Sequence, residues 1–205
     1  MAKKKEMNEE VLPKLSKEEA TKMAKRDMFL DIAPYLIIIF FIVVIRIFIA
    51  TPVSVHGSSM YPTLEDGDTM ILYKLVKSTR GIKRDDIVVI ETDSGKLIKR
   101  VIGLPGDVIT YKTETVDEKE ITHLYRNGKK IEEKYIKQDA VNQTCNEDWE
   151  LCTTEIKVPE GEYYVLGDNR GNSKDSRMLG TIAYDDILGT TELVIFPFNR
   201  IGFKN

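Results

Sequence analysis

The chain has 205 residues, enough for one sizeable domain with or without an appendage. A formal net charge of −3 disfavours a nucleic-acid binder, which shows a basic excess or stripe, while 31% charged residues imply that most of the chain is soluble. Two His and two Cys are too few and too scattered for a zinc site, and no glycine-rich phosphate loop occurs, so no metal, nucleotide or organic cofactor is expected.

The first 31 residues mix Lys and Glu. They read as a solvated tail, with a surface helix as the alternative. Residues Ile32 to Ala50 (IAPYLIIIFFIVVIRIFIA) are apolar on every face. As a helix this run spans about 28 Å, close to the roughly 30 Å of a bilayer's hydrocarbon. Pro34 is expected in its first turn, where a missing N–H does no harm. Arg46 lies about one turn from the far end and can snorkel to the interface. The leader before it is too long for a cleaved signal peptide, and a buried core helix is rarely apolar all round. A permanent single-pass anchor is therefore expected. Lys22, Lys25 and Arg26 precede it and no Lys or Arg follows until Lys74. The positive-inside rule places the N-terminus in the cytoplasm and everything after Thr51 outside the cell membrane.

Beyond Thr51 the pattern becomes short and β-rich. Strands are expected over residues 69–73, 86–91, 96–102, 107–111, 163–166 and 190–196. Turn signals separate them, and Asn127-Gly128 between strand-like flanks predicts a hairpin. The stretch 112–157 is polar and reads as an insertion between two halves of a core, 52–111 and 158–205. The fold class is mainly β, one transmembrane helix followed by a β-rich domain with an inserted β subdomain. Cys145 and Cys152 lie in the insertion; a disulfide and two free thiols are both open, and an oxidising compartment permits the former.

Three polar phrases carry chemistry. Ser59 opens Ser-Met-Tyr-Pro-Thr-Leu just beyond the apolar run. A serine needs a base. His56 is three residues away in an extended stretch and His123 lies in the polar insertion, so neither is well placed. Lys99 is the better candidate, because it sits in an apolar strand, Leu97 to Ile102. In water about one lysine in 2,500 is neutral at pH 7. Burial disfavours the ammonium form, and a pKa near about 8 leaves roughly a tenth neutral. A snorkelling edge-strand lysine is the plain alternative. The third phrase is the loop Gly167 to Arg177.

The order and wording of Gly57–Leu64, Ile98–Asp107 and Gly167–Arg177 resemble the bacterial type I signal peptidases, the Ser-Lys proteases that cut signal peptides from exported proteins. The resemblance implies a signal-peptidase-type catalytic domain with Ser59 as nucleophile and Lys99 as its general base. The Ser59 amide would form half of an oxyanion hole. Gly57 stands where some relatives carry a hydroxyl for the other half, and Ser58 is the adjacent candidate. By the same resemblance Ser173 orients the lysine, Asp175 and Arg177 form a bracing salt bridge, and Asp168 belongs to that block. Val53, Val55, Met60, Leu64 and Ile98 would line small pockets for an extended peptide; core packing is the plain alternative for each. Phe196-Pro197-Phe198 reads as a lipid-dipping tip or an ordinary turn. Expected partners are signal peptides of secreted pre-proteins with small residues at −1 and −3, the lipid bilayer, and export machinery in transit; no nucleic acid is expected. The single anchor and Gly57 suggest a Gram-positive source. A self-cleaving repressor-type Ser-Lys protease and a non-catalytic signal-peptide-binding subunit are the rivals.

Overall fold

The computed structural model describes residues 16–116, 119–136 and 154–204. The chain forms two compact units, Met1–Ile45 and Arg46–Asn205.

In the first unit one helix, α1 (Lys17–Val44), runs through the apolar segment. It ends in a wider π turn, Ile45–Ile49, which carries Arg46. The stretch Thr21–Ile49 is long and apolar enough to cross a membrane, and none of its described side chains is buried. Two expectations are corrected here. The helix starts well before Ile32, so Pro34 lies inside it rather than in its first turn. Ala, Glu, Lys and Met dominate the preceding residues and favour helix, so no break forms at the polar-to-apolar boundary. Ala50, expected as the last anchor residue, instead opens strand β1 (Ala50–Ser54) and pairs with Tyr73. Pro52 disfavours helix at Thr51, which makes the switch to extended backbone sharp.

The second unit is antiparallel β. Its strands are β1, β2 (Thr69–Tyr73), β3 (Ile87–Thr92), β4 (Gly95–Gly103), β5 (Val108–Val116), β6 (Lys119–Arg126), β7 (Lys129–Lys130), β8 (Ile156–Lys157), β9 (Glu162–Leu166), β10 (Ile182–Ala183), β11 (Ile187–Phe196) and β12 (Gly202–Phe203). One sheet has the order β1-β2-β11-β3-β4-β9-β10, with β12 added on β11. A second sheet has the order β7-β6-β5-β8. The Asn127-Gly128 hairpin joins β6 to β7 as expected.

Strand β3 shows why the first sheet holds. Ile87 and Val89 enter one core cluster, with Val55, Met60, Leu64 and Ile98. Val88 and Ile90 enter another, with Val101, Val165 and Ile187. The two-residue period of a strand sends alternate side chains to opposite faces, so four apolar residues in a row mark a strand covered on both sides. A third cluster joins the sheets through Ile102, Ile109, Leu124 and Leu166. The second sheet begins at Val108, not at residue 112. The polar tract divides β5 by composition because Ile109 is buried while Lys112 to Thr115 are exposed; pairing with β6 is continuous through both halves. Cys145 and Cys152 lie outside the described residues.

Candidate active site

Ser59 sits in the loop between β1 and β2. Backbone bonds close the loop's neck: Val55 N–H donates to Asp68 O at 2.8 Å, and Gly67 N–H to Val55 O at 3.0 Å. Met60 and Leu64, both essentially inaccessible, anchor it in the core. Burying each such side chain stabilises by about 1.5–3 kcal/mol. Gly57, two residues before Ser59, has φ +83 and gives its N–H to Asp66 Oδ1 at 2.8 Å. A side chain is strained at that φ, so the backbone here selects glycine.

Lys99 lies in β4 opposite Val88 and is 2% exposed. Its Nζ is 2.8 Å from Ser59 Oγ and 2.8 Å from the carbonyl of Ile98. Burial is the largest influence on the amine and lowers its pKa. The carboxylates of Asp175 and Asp168 pull it back up and Arg177 pushes it down, leaving it at about 8. A substantial neutral fraction therefore exists near neutral pH.

The loop after β9 closes over Ser59 from the other side. Asn169 N–H donates to Ser59 O at 3.0 Å. The Asn169 side chain donates to Ser58 O at 3.0 Å, and the Asn172 side chain to Ser58 Oγ at 2.8 Å. Asp175 and Arg177 form a fully buried pair, with Arg177 Nε and Nη2 each 2.8 Å from a carboxylate oxygen. Burial alone raises the Asp175 carboxyl, but the hydrogen bonds and charge of Arg177 and the Gly167 N–H outweigh it and hold the pKa below its usual value. Ser173 Oγ is buried, faces Gly167 and forms no hydrogen bond of good geometry. It interacts with the Asp175 carboxylate and helps to hold it charged. The expected hydrogen bond from Ser173 to Lys99 is thus not formed, because the lysine amine is turned toward Ser59 and Ile98.

Asp168 binds Arg100 through both oxygens, at 2.9 and 2.7 Å, and accepts from Thr63 Oγ1. Arg100, Thr63, Arg170, Glu133 and Tyr135 complete this shell and are absent from the sequence-derived candidates. Thr63, Arg100 and Arg170 lie within the matched phrases, and Arg100 left a further signal: a second cation next to Lys99 inside an apolar strand needs a carboxylate on the opposite face.

A cleft of about 490 Å³ opens at Ser59 and Lys99, lined by Val53, Val55, Met60 and Ile98 together with His56 and Leu97. Leu64, expected as a pocket residue, does not line it. It is wholly buried beneath the loop, where it packs with Met70 and Val89. Another groove, of about 560 Å³ around Ile71, Tyr73 and Phe203, holds no nucleophile and base in contact. The arrangement at Ser59 is a hydroxyl in hydrogen-bond contact with an amine that can be neutral, beside an apolar cleft. That suits acyl transfer from an extended peptide.

Comparison with known proteins agrees. Residues 28–196 match the family model "Signal peptidase, peptidase S26". The chain is 39% identical over 192 residues to Signal peptidase I of Bacillus licheniformis, covering 90% of this chain and 97% of that one. It is 40% identical over 191 residues to Signal peptidase I T of Bacillus subtilis (strain 168), covering 89% and 93%. A crystal structure of a signal peptidase I from Enterococcus faecalis V583 aligns at 32% identity over 53% of this chain and 95% of its own, with a TM-score of 0.41. The chain belongs to the signal peptidase family, peptidase S26.

Proposed function

We propose that this serine endopeptidase removes signal peptides from pre-proteins with Ser59 as nucleophile and Lys99 as general base. The observation that carries the assignment is the 2.8 Å contact between Ser59 Oγ and a buried Lys99 Nζ. The neutral amine accepts the hydroxyl proton as Oγ attacks the scissile carbonyl. The resulting ammonium gives that proton to the departing amine of the mature protein. Water then attacks the acyl-enzyme with Lys99 again as base, and releases the signal peptide's new carboxylate.

The Ser59 N–H forms no hydrogen bond among the described residues and supplies one oxyanion donor. Ser58 supplies the second. Its oxygen already accepts from Asn172, which leaves its proton to donate. The substrate binds extended. β1 is the end strand of its sheet, and β4 pairs with β9 only from Arg100 onward, so the edge of β4 before Arg100 is open beside the cleft. A peptide laid between these edges extends the sheet. Val53, Val55, Met60 and Ile98 then meet alternate side chains and favour small residues at −1 and −3. The N-terminal helix anchors the enzyme in the membrane with residues 1–31 in the cytoplasm and the catalytic unit outside, as the flanking charges favour. There it meets pre-proteins as the export machinery delivers them.

The test is cleavage of a pre-protein by the full chain in detergent. Ser59→Ala and Lys99→Ala should each abolish turnover while the fold persists; normal cleavage by either variant refutes the assignment.

A further inference from the structure

Two arginines grip the loop that carries Asn169, and both reach one short segment following β7. Arg170 is wholly buried, and Glu133 is 12% exposed. Arg170 Nη1 donates to Glu133 Oε2 at 3.0 Å, and Nη2 donates to Oε1. Its Nε donates to Gly167 O at 3.0 Å. Tyr135 gives its hydroxyl proton to the same Glu133 carboxylate at 3.2 Å. The Tyr135 ring lies 4.0 Å under the Arg100 guanidinium, which in turn holds Asp168. One carboxylate and one ring from the second sheet's chain thus set the arginines at Gly167 and Asp168. The next residue, Asn169, bonds the Ser59 carbonyl at 3.0 Å.

We propose that Glu133, assisted by Tyr135, is a positioning residue for Ser59, so that the second sheet supports the chemistry as well as the fold. The inference rests on the reading of Ser59 as nucleophile. A fork-to-fork contact between guanidinium and carboxylate fixes direction as well as distance. Without its carboxylate, Arg170 becomes an unpaired buried cation and must move toward water. Its Nε is bonded to Gly167 O, so that movement breaks the tie holding the loop that registers Ser59, a tie the charge-free pair also lacks. Misplacement by about 1 Å costs on the order of a hundredfold in rate.

The experiment compares native chain, Glu133→Gln, the charge-free pair Glu133→Leu/Arg170→Met, and Tyr111→Phe, each as the full chain in detergent with one pre-protein. Tyr111→Phe breaks a different contact between the sheets, the 2.9 Å hydroxyl pair with Tyr164. Turnover is expressed per folded molecule. Glu133→Gln should lower kcat about 10- to 100-fold, with KM and the pH midpoint of kcat unchanged, because the charges acting on the Lys99 amine are those of Asp175, Asp168 and Arg177. The charge-free pair should regain the native unfolding temperature and stay slow. Tyr111→Phe should keep native kcat. A kcat within twofold of native in Glu133→Gln, recovery of kcat in the charge-free pair, or an equal loss in Tyr111→Phe would each overturn the proposal. Failure of the underlying reading shows separately, as cleavage that survives Ser59→Ala.

Discussion

The amide of Asn169 donates to the carbonyl of Ser59 at 3.0 Å. The proposed nucleophile and its supporting loop are therefore joined through backbone, and no side-chain rotamer can absorb a shift between them.

Gly167 is the tightest point of that junction. A Cβ added there would lie 2.5 Å from Ser59 O and 2.2 Å from Ser173 Oγ. The serine side chain can turn, but the carbonyl cannot leave without breaking the Asn169 bond. Gly167→Ala should destabilise by about 1–3 kcal/mol through overpacking. It should also lower kcat on the order of a hundredfold through displacement of Ser59. Urea unfolding and steady-state cleavage measure the two separately.

The rate should rise with pH through about 8, where the Lys99 amine loses its proton. Only the neutral amine can accept from Ser59, so activity falls on the acid side of that midpoint. A pH profile of kcat on a pre-protein tests this. A midpoint near 6 would point to a histidine base in place of Lys99.

The buried Lys99 amine lowers stability, a cost that fits the base role proposed for it. Its pKa is about 8 in the folded chain against an ordinary 10.5. Below 8 both states hold the proton and the full penalty, about 3 kcal/mol, is felt. Between 8 and 10.5 the unfolded chain binds more protons, so stability rises with pH there. Lys99→Met, of similar length, should be inactive yet more stable at pH 7 by up to about 3 kcal/mol, an advantage that fades by about pH 10.5. Unfolding free energies at the two pH values check both sign and window.

Ser58→Ala removes the proposed second oxyanion donor while the Ser58 carbonyl keeps its bond from Asn169. Turnover should fall about 10²–10³-fold with little change in KM. Unaltered turnover would leave the Ser59 N–H as the only assigned donor.

The strands were readable in advance because their apolar residues alternate or run unbroken, and burial follows that pattern directly: Thr69–Tyr73 emerges with the expected bounds. The Asn127-Gly128 turn was equally legible, since the two residues adopt positive φ there. The proximity of Ser59 to Lys99, 40 positions apart, came from matching phrases and not from periodicity, which carries no information on long-range contact. Leu64 takes the core-packing alternative, since an apolar residue beside a nucleophile suits a pocket wall and a core equally well. Glu133 and Tyr135 left no trace, for charged and aromatic residues in a polar tract look solvated until their partner, a buried arginine, is known. The early start of α1 follows the surface-helix alternative for the tail, because helix propensity continues on the N-terminal side of the apolar run while hydropathy does not.

Lys99 and Arg100 are consecutive in one strand, yet one titrates beside Ser59 while the other stays cationic against Asp168. Their order along the chain is therefore a polarity. Exchanging the two letters would leave composition, charge and strand propensity almost untouched. It would aim a guanidinium that never gives up its proton at the hydroxyl, and set an amine too short and too compact to grip a carboxylate with two parallel bonds on the far side. The order of two like-charged neighbours thus sets which of them can give up its proton beside Ser59 and which can only brace Asp168.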